Sequence, residues 1–391
     1  MENHKLIRLL KTFSKKEFND FEKFASSSLH NEGRNYTAFV RELRKFYPEF
    51  SSNKFSKKIL FENIYKGRSH SETMVNTTLS RVLKLAENFM GYNSYLKKNI
   101  SAKYDYISEL MNRELFDIAE KELKEYSNLI ENNEGIADEW FKSKMEYEIL
   151  KVQLSYRNDR SQEAIKASLN QTDYYIRFAI IRLAHFIHNL SVENIMYNVD
   201  FKKTFTNTFI SSINLDDIYH SLKDDSSKND LDEITLIYVL WIICLLNPKQ
   251  TDKFYEIKKL FLKNKDKFNH HEQYNLFQAL EAIAWFMIRE VSREKFEPEL
   301  LDLYKKRIDS NIISPDNTHM RIILYRAILI TCFYKPDWNF IDNYIVKCIP
   351  MLQEKHRENM YNFSMAHVNY YKENFNDALK FNNKINFEMF A

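Results

Sequence analysis

Four groups of side chains in this sequence have types and spacing that could do chemistry. The first is His185-Phe186-Ile187-His188. Residues three apart share a helical face, and two imidazoles so placed can ligate one metal ion. No Asp or Glu accompanies them before Glu193, and Phe186 and Ile187 mark a largely buried helix. Two core imidazoles are therefore the preferred reading, and a helical metalloenzyme ranks third among the functions considered. The second group, His270-His271-Glu272, sets consecutive residues about 100° apart on a helix, so they do not converge on one ion. It reads as a helix start, where Glu272 suits the positive end of the helix dipole. The third is cysteine. Cys244 lies in Trp241-Ile242-Ile243-Cys244-Leu245 and Cys332 in Leu329-Ile330-Thr331-Cys332-Phe333, whereas a nucleophilic thiol needs a positive, partly exposed setting. With Cys348 the cysteines are odd in number and have no C-x-x-C spacing, against a disulfide framework or zinc knuckle.

The fourth group is cationic. Lys54, Lys57, Lys58, Lys66, Arg68 and His70 crowd one predicted helix and its turn, and Arg81 and Lys84 follow on the polar face of the next. A helix, a turn with Gly67, and a second helix opening on Thr73, Asn76, Thr77, Thr78 and Ser80 imitate a helix-turn-helix. In that arrangement the Thr, Asn and Arg side chains would face base edges while lysines neutralise phosphates. The turn from Lys66 to Glu72 is longer than the usual 3–4 residues, and Glu62, Glu72 and Glu87 interrupt the patch. A solvated face is the leading reading. An anionic-partner patch of Lys54, Lys57, Lys58, Lys66, Arg68, Arg81 and Lys84 is the alternative.

Catalytic signatures are missing. There is no H-E-x-x-H, no E-x-x-H pairing and no G-x-S-x-G elbow. The four glycines, Gly33, Gly67, Gly91 and Gly135, stand too far apart for a phosphate-cradling or dinucleotide-binding loop. With 54 carboxylates, pairs at helical spacing arise by chance and select nothing. The sequence predicts no catalytic residue, no metal and no cofactor.

The elements that must position these groups are helices. Four Gly and 6 Pro in 391 residues fall far below the roughly 12% of an average protein, and tight hairpins need glycine at positive φ. Helix starts are written instead in caps. Ser14-Lys15-Lys16-Glu17 is a capping box with Phe13 and Phe18 as its staple, and Phe18, Phe21, Phe24 and Ala25 share the following face. A helix with Tyr36, Phe39, Val40, Leu43 and Phe46 inward stops near Pro48. Ser56 caps the next, with Phe55 and Leu60 as staple. Ser69-His70-Ser71-Glu72 predicts another capping box before a long helix ending at Gly91. Residues 1–100 thus read as a basic helical bundle: residues 1–104 carry 20 Lys/Arg against 10 Asp/Glu, and the remainder is net acidic.

Residues 101–391 read as helix pairs whose first helices start near 101, 136, 171, 231, 270, 316 and 356. A period of this size is the signature of an α-solenoid, because each pair leaves an apolar face that the next must cover. The long interval contains an irregular acidic segment near 198–233, with Asp216, Asp217, Asp224, Asp225, Asp230, Asp232 and Glu233 against Lys223 and Lys228, expected as a loop or hinge. Asp230 and Glu233 would cap the apolar helix carrying Trp241 and Cys244. That run, Ile234 to Leu246, is shorter than the about 20 residues of a membrane span. Met1-Glu2-Asn3-His4-Lys5 begins no signal peptide, and a cytoplasmic protein is expected.

Ala366, Phe375 and Ala378 have the spacing of a small residue, turn aromatic and second-helix alanine, with Asn374 placed to cap the second helix. Phe116 and Ala119 repeat part of it, with Ile107 where a small residue belongs. Ala164 repeats it with Ser161 in place of the aromatic. In these residues the chain resembles degenerate tetratricopeptide repeats, two pairs by motif and the others by period. The resemblance implies a right-handed helix-pair superhelix with a concave surface for peptides or protein segments, and it carries over no binding residues. The expectation is an all-α chain, 1–100 a bundle and 101–391 a tetratricopeptide-like solenoid. It would act as a non-enzymatic interaction scaffold for a protein or peptide. The alternative is a regulator whose basic bundle binds nucleic acid. No membrane partner is expected, and oligomeric state stays open. Asn386 to Ala391 resembles the start of a further helix, so truncation of a longer chain is preferred over a partner covering the last face.

Overall fold

The computed structural model describes every residue except 2, 32, 52–54, 66, 68, 133–134, 198–203, 225–228 and 391, and the side chains of all the rest but 195, 196 and 390. The described residues form nineteen α-helices with no β-strand, so the chain is all-α. They divide into two compact units, Met1–Arg113 and Glu114–Ala391.

The first unit comprises α1 (Lys5–Leu10), α2 (Lys15–Ser26), α3 (Thr37–Arg44), α4 (Lys57–Ile64), α5 (Glu72–Leu96) and α6 (Asn99–Asn112). Its boundary falls after Arg113 because α6 packs on α5. Both halves of the Ser14 capping box form: Glu17 N donates to Ser14 Oγ at 3.1 Å, and Ser14 N to a Glu17 carboxylate oxygen at 2.9 Å. Ser56 Oγ likewise accepts from Ile59 N. The apolar faces meet in an aromatic core in which the Phe89 ring lies 5.6–5.7 Å from those of Phe13, Phe21 and Phe24. Burying each such ring contributes about 1.5–3 kcal/mol. Two ends of α5 differ from expectation. The cap is Ser71, whose Oγ accepts from Met74 N, and not Ser69. Gly91 does not stop the helix. A stopping glycine takes positive φ, whereas Gly91 stays helical and α5 runs on to Leu96.

The second unit comprises α7 (Phe116–Glu131), α8 (Asp138–Arg157), α9 (Ser161–Tyr197), α10 (Phe205–Ser212), α11 (Leu215–Lys223), α12 (Asp230–Leu246) and α13 (Thr251–Asn264). These are followed by α14 (His270–Glu290), α15 (Arg293–Asp309), α16 (Ile322–Cys332), α17 (Trp338–Cys348), α18 (Glu354–Tyr371) and α19 (Phe375–Asn382). Sequence neighbours pack on one another, α8 on α9, α14 on α15 and α18 on α19, while α12 touches both α9 and α14. The helix start expected near 171 does not exist: α9 is one helix of 37 residues. Thr172 Oγ1, the hydroxyl that could have capped a new helix, instead donates to the Ser168 carbonyl one turn back at 3.0 Å.

The acidic segment holds α10 and α11 where a loop was expected. Three of its carboxylates, Asp230, Asp232 and Glu233, are spent across elements. Arg177 of α9 reaches Asp232 Oδ1 at 2.6 Å, Thr235 Oγ1 at 2.7 Å and Asp173 Oδ2 at 2.7 Å. Lys267 meets Asp230, and Lys263 meets Glu233. The cap of α12 is Asn229, one residue before the expected Asp230, closed reciprocally by Asp232. From Ile234 to Leu245 the helix is buried on all sides. Among the described residues no helix is long and apolar enough to cross a membrane. The start expected near 316 moves to Ile322, because Ser314 and Asp316 hold Thr318 in a turn. Asn374 occupies the cap position of α19 without making the side-chain bond; Ala366 and Ala378 are buried and Phe375 is exposed.

One backbone contact joins distant parts of the second unit. Ile136 N donates to the Lys267 carbonyl at 2.7 Å and Asn269 N to that of Ile136 at 3.3 Å. Gly135, at φ +79°, makes this approach possible: a Cβ there would stand 2.6 Å from Asn269 N and 2.7 Å from the Phe268 carbonyl carbon.

Candidate functional site

Two places gather polar side chains whose bonding capacity is unspent, one in each unit. In the first, the predicted cationic patch does not stay together. Lys54, Lys66 and Arg68 lie outside the described residues. Lys57 is held by Glu72 at 2.9 Å, and that bond keeps the Glu72 carboxyl below its usual range. Lys58 is exposed on α4. Of the residues meant to face bases, Thr73, Asn76, Thr77 and Ser80 are exposed, but Thr78 is buried with its hydroxyl donating to the Met74 carbonyl.

Arg81 and Lys84 lie farther along α5 and line a cavity of about 320 Å³ together with Arg34, His30, Tyr36 and Asn88. Val82, Ala86 and Phe89 anchor the opposite face of the helix in the core, so the polar face is fixed outward, and Leu85 between them joins the cavity lining. The other wall is the loop between α2 and α3. Buried Asn31 organises it, donating from Nδ2 to the Ala25 carbonyl at 3.1 Å and accepting from Gly33 N at 3.1 Å. The His30 ring stacks flat on Phe24 at 3.9 Å. Arg34 and Asn88 are members the sequence reading did not select, since nothing in a surface loop says which helix face it will meet.

In the second unit His185 and His188 of α9 line a cavity of about 300 Å³ with Asn189, Trp241 of α12, and Asn275 and Gln278 of α14. The two imidazoles have different fates. His185 Nε2 lies 3.0 Å from Glu272 Oε1. The same oxygen accepts from Tyr238 Oη at 2.6 Å, and Asn275 Nδ2 donates to the other at 3.0 Å. Burial alone would raise the Glu272 carboxyl; these hydrogen bonds, His185 foremost, outweigh it and hold it below its ordinary value. His188 has no such partner. Burial, with His185 adding to it, holds its imidazole down at about 4, so it is neutral at pH 7, and its Nδ1 is buried without a hydrogen bond. The Trp241 ring lies edge-on to both imidazoles at 5.0 and 5.4 Å, and its indole N–H is also buried without a partner.

Among the described residues no three His, Cys, Asp or Glu side chains gather as a metal site. His270 begins α14 as expected, but the cap is Asn269, and His270 Nε2 is spent on the Ser314 carbonyl at 2.8 Å. Cys244, Cys332 and Cys348 are all buried, and burial pushes their thiols up to about 12. At neutral pH they are thiols and not thiolates. The polar cavity therefore offers hydrogen-bonding groups, a neutral imidazole, an indole and three amides, with the Glu193 carboxylate also in its lining. Each of its two orphaned atoms costs about 1–3 kcal/mol until a partner arrives. Sequence spacing exposed the histidine pair, but neither Glu272 nor Trp241 as its neighbours. No protein-family model matches the chain, no curated protein matches it, and no solved structure matches it.

Proposed function

We propose that the chain is a non-enzymatic interaction scaffold that holds a peptide or partner segment against α9, α12 and α14 of its second unit. Successive helix packing in that unit accords with a tetratricopeptide-like solenoid, in which such a segment would run along the groove. The observation that carries this reading is the pair of buried, unpartnered polar atoms, Trp241 Nε1 and His188 Nδ1, on two residues that line a cavity together with Asn189, Glu193, Asn275 and Gln278. An extended peptide presents alternating carbonyls and amides. A carbonyl would accept from the indole N–H, and side-chain amides can serve as donor and acceptor at once. Apart from the Glu193 carboxylate, the polar lining is made of hydrogen-bonding groups that suit main-chain carbonyls and amides, and that carboxylate disfavours an anionic ligand.

The test is selection from a library of random short peptides, followed by titration on the full chain with tryptophan fluorescence. Trp241→Phe keeps the bulk and removes the donor. It is expected to weaken a selected peptide about 5–10-fold, the worth of one hydrogen bond. Equal binding by parent and variant, or no selectable peptide, would sink the reading.

A further inference from the structure

We propose that the cavity between the α2–α3 loop and α5 is a phosphate-binding site, independent of the reading above. Arg34, Arg81 and Lys84 converge on it, and none of the three forms an ion pair with a described residue. No carboxylate is among the described residues that line it. Several other cations of the unit rest on carboxylates: Arg41 and Arg44 share Glu22 at 2.6 and 2.9 Å, Lys57 holds Glu72, and Lys5 holds Glu87 on α5 itself. Lys15, Lys16 and Lys58 are also without an ion pair to a described residue, but they stand exposed and line no cavity with one another. Like charges gathered in a concavity without a counter-charge raise the local potential, which focuses there and draws an anion in.

The walls are set before any ligand arrives. Arg81, Lys84 and Asn88 fall on one face of α5, whose other face is locked in the aromatic core. Arg34 follows Gly33, at φ +76°, in a loop whose shape the buried Asn31 side chain fixes through two hydrogen bonds. Two guanidinium forks and an ammonium match the several oxygens and spread charge of a phosphate better than the single charge of a carboxylate. The α5 surface leading away from the cavity carries Ser80, an exposed hydroxyl that can donate to the next phosphate oxygen along a strand, whereas the Thr77 hydroxyl already donates to the Thr73 carbonyl at 2.8 Å. The phosphate has two sources, a nucleic-acid strand or a free phosphorylated small molecule, and the chemistry at the cavity is common to both.

The experiment uses the full chain with two probes: a fluorescein-labelled oligothymidylate followed by anisotropy, and inorganic pyrophosphate followed by calorimetry. Arg34→Gln, Arg81→Gln and Lys84→Gln are each expected to weaken binding about tenfold, and Lys84→Arg to retain it. Lys23→Gln, which removes an equal charge paired with Asp20 at 3.4 Å, is expected to change it less than about twofold. Oligonucleotide affinity should fall steeply between about 50 and 200 mM salt, and each cavity cation replaced by Gln should make the slope against salt shallower by about 0.7. Binding of both probes points to a nucleic-acid strand, and binding of pyrophosphate alone to a free phosphorylated molecule; either supports the site. Binding of neither probe at about 50 mM salt, or equal losses in the cavity variants and Lys23→Gln, overturns it. Circular dichroism melts of each variant separate lost binding from lost folding.

Discussion

Arg307 illustrates how this chain buries a charge. Its Nη1 reaches both oxygens of Glu281 at 2.8 and 2.6 Å, its Nε donates to the Ile312 carbonyl at 2.8 Å, and its guanidinium lies 4.4 Å from the Tyr274 ring centre. Burial pushes the Glu281 carboxyl up even against this partner. Arg307→Met strands that carboxylate, and a loss of about 3–5 kcal/mol is expected in urea unfolding; the double variant with Glu281→Leu should recover much of it. His188 sets a second prediction. Its pKa falls from 6.5 unfolded to about 4 folded, so the unfolded chain binds the extra proton between those values. The stability contribution is present above 6.5 and is lost as pH falls toward 4. Between pH 7 and 5.5 the loss is about 1 kcal/mol, and His188→Gln should flatten that slope in tryptophan-detected urea titrations. An unchanged slope would show that His188 is not held neutral. At this scale the sequence was readable only along one helix. His185 and His188 declare themselves by spacing, but Glu272, which decides their separate roles, lies 87 residues from His185. In the same way Arg81 and Lys84 were legible as neighbours on α5, and Arg34 was not, because loop and helix meet only in the fold.

Elements were legible where a cap had no competitor. Ser14 and Ser56 start their helices as the sequence predicts. Ser71 displaced Ser69, and Asn229 displaced Asp230, because several small polar residues stand together there and periodicity cannot choose among them. The 37-residue α9 hides a continuous helix behind polar residues that resemble a turn. Glycine is the other marker at this scale, and two glycines with almost equal φ allow a controlled comparison. Gly67 at +80° has nothing within 4 Å of an added Cβ, whereas Gly135 at +79° would press on backbone at 2.6 Å. Gly67→Ala should cost only the left-handed penalty of about 1–2 kcal/mol. Gly135→Ala should cost about 2–4 kcal/mol, since the atoms it meets are main chain and cannot swing aside. Equal thermal shifts in the two variants would show that the approach to Asn269 relaxes freely.

Among the described residues, each unit holds a hydrophobic core of its own. Residues 1–113 expressed alone should therefore melt cooperatively by circular dichroism; a featureless, non-cooperative trace would show that this core does not suffice. All four tryptophans, Trp140, Trp241, Trp285 and Trp338, belong to the second unit, so fluorescence in the full chain follows that unit by itself. The all-α class was legible from the scarcity of glycine and proline, and the basic character of the first unit from its charge count. The backbone bridge beside Gly135 was not, since it joins two unremarked loops. It also has a kinetic meaning. Most packing in the second unit is between helices close in sequence, which lets such a chain grow or fray one helix at a time. A clasp from Ile136 to Phe268 closes about 130 residues, and that closure costs about 4 kcal/mol of chain entropy before any contact repays it. It should form late and release only with the whole segment it encloses. In native-state hydrogen exchange, then, the Ile136 amide should open with the unit as a whole, while the amides of α18 and α19, outside the clasp, open on their own.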